Sequence, residues 1–256
     1  MLKTDQKQYH IAVSRGDVGE YCILPGDPGR CEQIASFLDS PVHVGMNREY
    51  NIWNGYLSGK LVTVCSTGIG GPSTAIAAEE LCACGAKTLI RIGTCGGIGT
   101  KVRPGDVVIA NGAVRQDGTS CEYAPLAFPA VPDANVLFAL SRAAEKLGYS
   151  NHVGVVQSKD SFYGQHSPDR MPTASELKEK WEAWKRLGVL ASEMEASTLF
   201  TVGATLGIAT GAVFCTVWNQ ERFLQGLDRN EDEVHDTERA IATAIEAVKI
   251  LIAEGK

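Results

Sequence analysis

The sequence predicts an α/β fold whose glycine-rich loops gather at the carboxyl ends of its strands. Apolar runs of strand length recur along the chain, segments with helical spacing separate them, and several runs end directly in glycine clusters. With 256 residues, 44% of them hydrophobic, the chain has ample material for a continuous core. Neither a repeat, a linker nor a low-complexity stretch interrupts it, so residues 1–256 are read as one domain.

Taken in order, Tyr21–Leu24 is a short apolar strand, Pro25–Arg30 a tight turn, and Cys31–Leu38 a helix with Ile34, Phe37 and Leu38 at helical spacing. Trp53–Leu57 and Lys60–Cys65 read as neighbouring strands of a hairpin. Ser66–Ser73 then opens a helix that runs to about Cys84, with Pro72 in its first turn. Lys87–Gly99 is an apolar strand that carries one arginine and runs into a glycine loop. Asp106–Ala110 is a strand, Val114–Phe128 a long loop or hairpin, and Asp133–Leu147 a helix. Val153–Val156 is a buried strand leading into Gln157–Arg170, a polar and aromatic loop too long to be a mere connector. Ser175–Leu187 is an amphipathic helix bearing Trp181 and Trp184. Val189–Ala196 places two carboxylates before an apolar helix ending near Gly207, and Gly211–Val217 is the last clear strand. Ile241, Ile245, Val248 and Ile252 make one apolar face of the closing helix.

A net charge of −6 argues against a nucleic-acid partner or a membrane surface, both of which select concentrated positive charge. No apolar run reaches transmembrane length, and the N-terminal octet lacks the apolar core of a signal peptide, so a cytoplasmic protein is expected. Eight cysteines include no Cys-x-x-Cys, and Cys82 and Cys84 are too close to share a helical face. They are read as reduced, small hydrophobes.

The chemistry concentrates at strand ends. An apolar strand has no cheap place for a guanidinium, so Arg91 belongs at its carboxyl end, facing either an anionic ligand or a structural ion-pair partner. Gly93, Gly96 and Gly97 would let backbone approach such a ligand. In Pro25–Arg30, Gly26 and Arg30 suit a phosphate, or else form an ordinary turn with a solvated arginine. Gly68, Gly70 and Ser73 nearly fit a dinucleotide fingerprint, but the following strand carries Arg91 where an acidic ribose ligand is required, which weakens an NAD oxidoreductase. Arg48 has no evident partner in its own element. In the loop, Phe162 could stack on a flat ring while Lys159, Gln165, His166 and Arg170 offer hydrogen bonds, or the loop is simply surface. Glu193 and Glu195, two apart, would share a face; they suit sugar hydroxyls or serve as helix-terminal charge.

Four motifs in one order, PGDPGR (25–30), STGIGGPS (66–73), RIGTCGG (91–97) and EME (193–195), resemble the hexameric nucleoside phosphorylase family, and within it the members that cleave uridine. The likeness runs from about His10 to the final helix. It implies a three-layer α/β/α sandwich around a mixed, distorted central sheet, assembled as a trimer of dimers, and reversible phosphorolysis of uridine to uracil and ribose 1-phosphate, with inorganic phosphate as co-substrate and no required cofactor. Carried over by motif, Gly26, Arg30, Arg91 and Thr94 match phosphate contacts, and Arg48 matches an arginine lent by a neighbouring subunit. His10 matches a histidine reaching across the dimer to the 5′-hydroxyl. Met194 and Glu195 match ribose contacts, with Glu193 beside them, and Arg91 and Glu195 are the catalytic pair. Cys95 and Gly96 run along the base. Glu49, Ile69 and Ser73 match positions that hold a monovalent cation, K+, between subunits in some members.

At the base end the chain departs from the commonest pattern. Uridine-cleaving members usually show Phe-Tyr, a spacer and Gln-x-Arg, whereas here His166, Ser167 and Pro168 follow Gln165. The resemblance leaves Gln165 for the uracil edge, with Lys159, His166 or Arg170 in place of the arginine. Purine-cleaving members resemble one another in an aspartate after the last strand that protonates N7; the equivalent stretch here is Thr216–Gln220, with Asn219. The rival readings are a purine nucleoside phosphorylase, a hydrolase using water, and a non-catalytic nucleoside sensor on the same fold.

Overall fold

The computed structural model describes residues 6–256; residues 1–5, part of the N-terminal stretch read above for a targeting signal, lie outside the described residues. The elements follow in order as β1 (Tyr21–Pro25), α1 (Arg30–Ala35), β2 (Asp39–Asn47), β3 (Tyr50–Leu57), β4 (Lys60–Cys65), α2 (Gly71–Cys84), β5 (Thr88–Gly97) and β6 (Val107–Gln116). Then come α3 (Thr119–Tyr123), α4 (Ala134–Lys146), β7 (Asn151–Lys159), α5 (Phe162–His166), α6 (Ala174–Arg186) and β8 (Ala191–Glu193). The last elements are α7 (Ala196–Leu206), β9 (Ala209–Asn219), α8 (Gln220–Leu224) and α9 (Glu238–Glu254).

The strands form one mixed sheet in the order β2-β3-β4-β1-β5-β8-β7-β6-β9, and β9 returns to pair with β5. Half of the sheet is therefore open and half closes on itself through β5, β8, β7, β6 and β9. β5 is the seam, parallel to β1 and β9 and antiparallel to β8 at Gly96 and Gly97. The period of two along the strands sorts the core. Tyr21 and Ile23 of β1 and Ile90 and Ile92 of β5 face one layer with Leu140 of α4 and Ile241 and Val248 of α9. Cys22, Leu24 and Leu89 face the other, with Leu81 of α2 and Leu199 and Val202 of α7. The α/β/α layering matches expectation, and the distortion of the sheet is this partial closure.

Three local expectations change. β2 carries no fully buried residue, and Val42 and Met46 are exposed, so no burial pattern marked it. β6 continues to Gln116, into the Val114–Phe128 stretch expected to be a long loop or hairpin. Arg115 then organises the following turn, donating to the carbonyl oxygens of Ser120, Ala124, Pro125 and Phe128, and α3 forms within it. The loop expected from Gln157 is partly the end of β7 and partly the one-turn helix α5. All eight cysteines are free thiols, and only Cys121 is exposed. Among the described residues no helix is long and apolar enough to cross a membrane.

Candidate active site

Arg91 makes the structural ion pair its sequence allowed and keeps one guanidinium nitrogen out of it. It is buried on β5, aligned with Leu24 of β1 and Ala212 of β9, with its guanidinium over the Phe214 ring. Nε donates to Glu193 at 3.1 Å and Nη2 donates to Glu195. Nη1 is buried and has no protein acceptor. It lies 3.7 Å from where a side chain on Gly26 would begin, so one nitrogen faces the PGDPGR turn while the other two are tied down. Gly93 is required for this placement: a Cβ there would lie 2.9 Å from Nη2 and 3.0 Å from the Phe214 ring.

The two glutamates are not equivalent. Glu193 ends β8 and accepts from Arg91, from Ser158 Oγ, and from the backbone N–H groups of Glu195 at 2.9 Å and Ala196 at 3.0 Å. Its oxygens are occupied, which makes it the post that orients Arg91 and the entry to α7. Glu195 accepts from Arg91 and from the Gly70 N–H at 2.6 Å. Gly70 adopts φ 92°, a left-handed conformation that suits glycine and turns its N–H inward. Burial, seconded by Glu193, pushes the Glu195 carboxyl up against the pull of Arg91.

These groups line a cavity of about 890 Å³. Gly26, Arg30, Arg91 and Thr94 line it from the β1–α1 turn and from β5, and Glu193, Met194 and Glu195 from β8 and the turn after it. Cys95 and Gly96 of β5, Lys159 at the end of β7, Phe162, Gln165 and His166 of α5, and Ile69 complete the lining. The turn exposes little helix dipole, because α1 is only 6 residues long and Asp27 accepts the Gly29 N–H itself.

The loop end is an aromatic and titratable cluster. Lys159 Nζ donates to Ser192 Oγ at 2.7 Å, and Ser192 Oγ donates to Gln165 Oε1 at 2.7 Å. The Gln165 amide nitrogen is thereby left as the free end of the relay. Burial pulls the Lys159 ammonium down to about 8 despite Glu193 and Glu195 nearby. Burial, and then Lys159, lowers His166. Phe162 and His166 stack with centroids 4.4 Å apart, and Trp218 lies 6.0 Å beyond.

Of the residues that the resemblance assigned to substrate or cation, His10, Arg48, Glu49, Ser73 and Arg170 do not line the cavity. Arg170 is exposed on a turn of 3₁₀ helix and does not line this cavity. His10 Nδ1 is 2.7 Å from Glu80, which also accepts the backbone N–H groups of His10 and Ile11. Arg48 is exposed over the Tyr9 ring. Glu49 and Ser73 both flank Gly68, because a side chain there would lie 2.9 Å from Glu49 Cγ and 3.3 Å from Ser73 Oγ. The Ser73 hydroxyl donates to the Ile69 carbonyl.

Asn219, compared in the sequence with the aspartate of purine-cleaving members, is likewise absent from the cavity lining. It is fully buried, donates to the carbonyls of Gly99 and Val102, and accepts from the N–H groups of Glu221 and Arg222 as the cap of α8. Its side chain is a structural tie. Sequence reasoning missed Ser192 and Trp218 as lining residues. Ser192 had no local signal, since its role follows from pairing with Gly96 of β5 and Gln157 of β7.

The comparisons agree with this geometry. The family model described as "Phosphorylase superfamily" matches residues 20–253. The uridine phosphorylase of Treponema pallidum (strain Nichols) is 53% identical over 247 residues, covering 96% of this chain and 95% of its own. That of Escherichia coli (strain K12) is 41% identical over 98% of this chain and 97% of its own. A guanosine phosphorylase of Halorubrum lacusprofundi is 41% identical over 96% of this chain and 99% of its own. With a model match and relatives that both run nearly end to end, the chain belongs to the phosphorylase superfamily.

Proposed function

We propose that this chain catalyses the reversible phosphorolysis of uridine to uracil and ribose 1-phosphate. The observation that carries the reading is the Arg91 guanidinium, held by Glu193 and Glu195 with Nη1 turned unpartnered toward Gly26 in the cavity. A buried cation kept in place with one donor spare is preorganised for an anion. Phosphate held by Gly26, Arg30, Arg91 and Thr94 attacks C1′ as the bond to N1 breaks. The bonding electrons pass to the uracil ring and its carbonyl oxygens. Glu195 holds the ribose hydroxyls beside Met194, and catalysis is positioning and charge stabilisation with no covalent intermediate.

At the base end, Lys159 and the Gln165 amide supply the charge and donor that a departing uracil anion requires, with Phe162 and His166 against its face. A purine would instead require a proton delivered to N7. The guanosine phosphorylase relative keeps that reading in the test. Asn219 is spent on four structural hydrogen bonds and has no proton to give.

His10 and Arg48 lie outside this cavity, and Arg48 is exposed. Both are read as serving the site of a neighbouring subunit within a trimer of dimers. Glu49, Ser73 and the Ile69 carbonyl offer oxygens fit for K+, which their copies in a second subunit would complete. The whole chain is read as a single cytoplasmic catalytic domain.

The test is a panel of uridine, inosine and guanosine with and without inorganic phosphate, followed by absorbance and assay of ribose 1-phosphate. Uridine cleaved only with phosphate is the expected result. Cleavage without phosphate would mean a hydrolase, preference for guanosine a purine enzyme, and binding without turnover a sensor.

A further inference from the structure

A second cavity of about 550 Å³ shares the side chains of Lys159 and Gln165 with the first. Its other walls come from Trp181 and Trp184 of α6, Gln157 of β7 and Gln220 at the start of α8. None of these four residues takes part in the site described above.

The polar groups of this cavity are unevenly satisfied. Trp184 Nε1 donates to Gln116 Oε1 at 3.2 Å, and because an indole N–H can only donate, it fixes which end of the Gln116 amide faces inward. Gln157 must then present its nitrogen to that same oxygen, which it does at 2.6 Å. The Gln157 Oε1 atom is left buried without a partner, in a residue only 3% exposed. Gln220 Oε1 is likewise buried and unpartnered. Buried acceptors of this kind call for donors. The charged side chains lining the cavity already have partners within the chain: Lys178 with Asp169, Lys180 with Glu176, Glu182 with Lys185, Asp160 with the Gly118 N–H, and Lys159 with Ser192 Oγ. The missing partner is therefore a neutral donor, and the two indoles offer flat faces to it.

We propose that this cavity is a second, non-catalytic ligand site for a neutral, flat heterocycle with two ring N–H groups, the class to which free uracil belongs. The choice of uracil as occupant rests on the function proposed above. Because Lys159 and Gln165 border both cavities, an occupant here alters the relay that faces the base, and uracil acts at high concentration as an effector as well as a product.

The test is an equilibrium titration of the intact protein with radiolabelled uracil in the presence of inorganic phosphate. Two uracils per chain are expected, the weaker one accompanied by a change in tryptophan fluorescence that is lost in Trp181→Phe. Gln157→Leu is expected to bind one, with uridine kcat/KM within about twofold of wild type; Gln220→Leu provides the same comparison if the first variant folds poorly. One uracil per wild-type chain with uridine cleavage intact would overturn the second site alone, as would two uracils in both variants. No uracil bound together with no uridine cleavage would overturn the occupant and the proposed function together.

Discussion

The two ends of the main cavity solve different problems with different materials. At the strand end, Arg91, Glu193 and Glu195 are buried side chains on or beside β5 and β8, and their hydrogen bonds are almost fully assigned. At the loop end, Lys159 is anchored on β7, but Phe162, Gln165 and His166 stand on a helix of 5 residues with Phe162 half exposed. One end fixes charge in place before a ligand arrives; the other offers aromatic faces and titratable donors on a short, lightly packed element. A rigid end suits a ligand part that never varies, and an adaptable end suits the part on which related enzymes differ.

The largest effect should come from the rigid end. Arg91→Ala removes the proposed donor to phosphate and leaves two buried carboxylates uncompensated. Phosphate-dependent uridine cleavage is expected to fall by about 10²–10³-fold or more, and denaturant unfolding to show a loss of about 3–5 kcal/mol. Activity within a few-fold of wild type would remove the asymmetry between the two ends.

The loop end should respond less, and through pH. Lys159→Met is expected to lower kcat/KM by about 10–100-fold, the worth of one hydrogen bond to a charged group. In wild type, kcat/KM should fall as pH rises through about 8, where the buried ammonium loses its proton. The sign for stability is opposite. Burial depresses the folded-state value below the ordinary 10.5, so between about 8 and 10.5 the unfolded chain holds a proton that the folded chain has released. Stability from this group therefore rises with pH across that window. A wild-type minus Lys159→Met difference in Tm that is flat from pH 7 to 10.5 would contradict the buried, depressed lysine.

Asn219→Asp separates local sequence reasoning from the three-dimensional site. By sequence alone it would install the acid of a purine enzyme. In the fold it sets a carboxylate against the carbonyls of Gly99 and Val102, so a loss of about 1–3 kcal/mol in thermal or denaturant unfolding is expected, with no gain in inosine or guanosine cleavage. The smallest effect belongs to Arg170→Ala, exposed and outside the cavity, with uridine kinetics within about twofold of wild type.

Much of the strand end was legible because its signals are local. An arginine in an apolar strand, a glycine cluster after it, and two glutamates two residues apart each carry their meaning within a few positions. The loop end was legible as an inventory but not as an arrangement. Lys159, Gln165 and His166 were identified as donors, yet the bridge between Lys159 and Gln165 is Ser192, supplied by a three-residue strand. Arg170, chosen on sequence proximity, falls outside because Pro168 starts a separate turn. β2 escaped notice because it buries nothing.

By itself the sequence determined the α/β class, the layering by alternate strand residues, the order of the glycine loops, and which charged side chains were too costly to bury without a purpose. Tertiary structure alone decided how those charges are divided. Arg91 and Glu195 are 104 residues apart, and Gly70 and Glu195 are 125 apart. Only closure of the sheet along β5 brings them together, leaving Nη1 as the one nitrogen of Arg91 without a protein acceptor. The same closure spends Asn219 on backbone carbonyls. Residue type sets what a group can do, but which of its atoms remain unpaired is a property of long-range strand pairing.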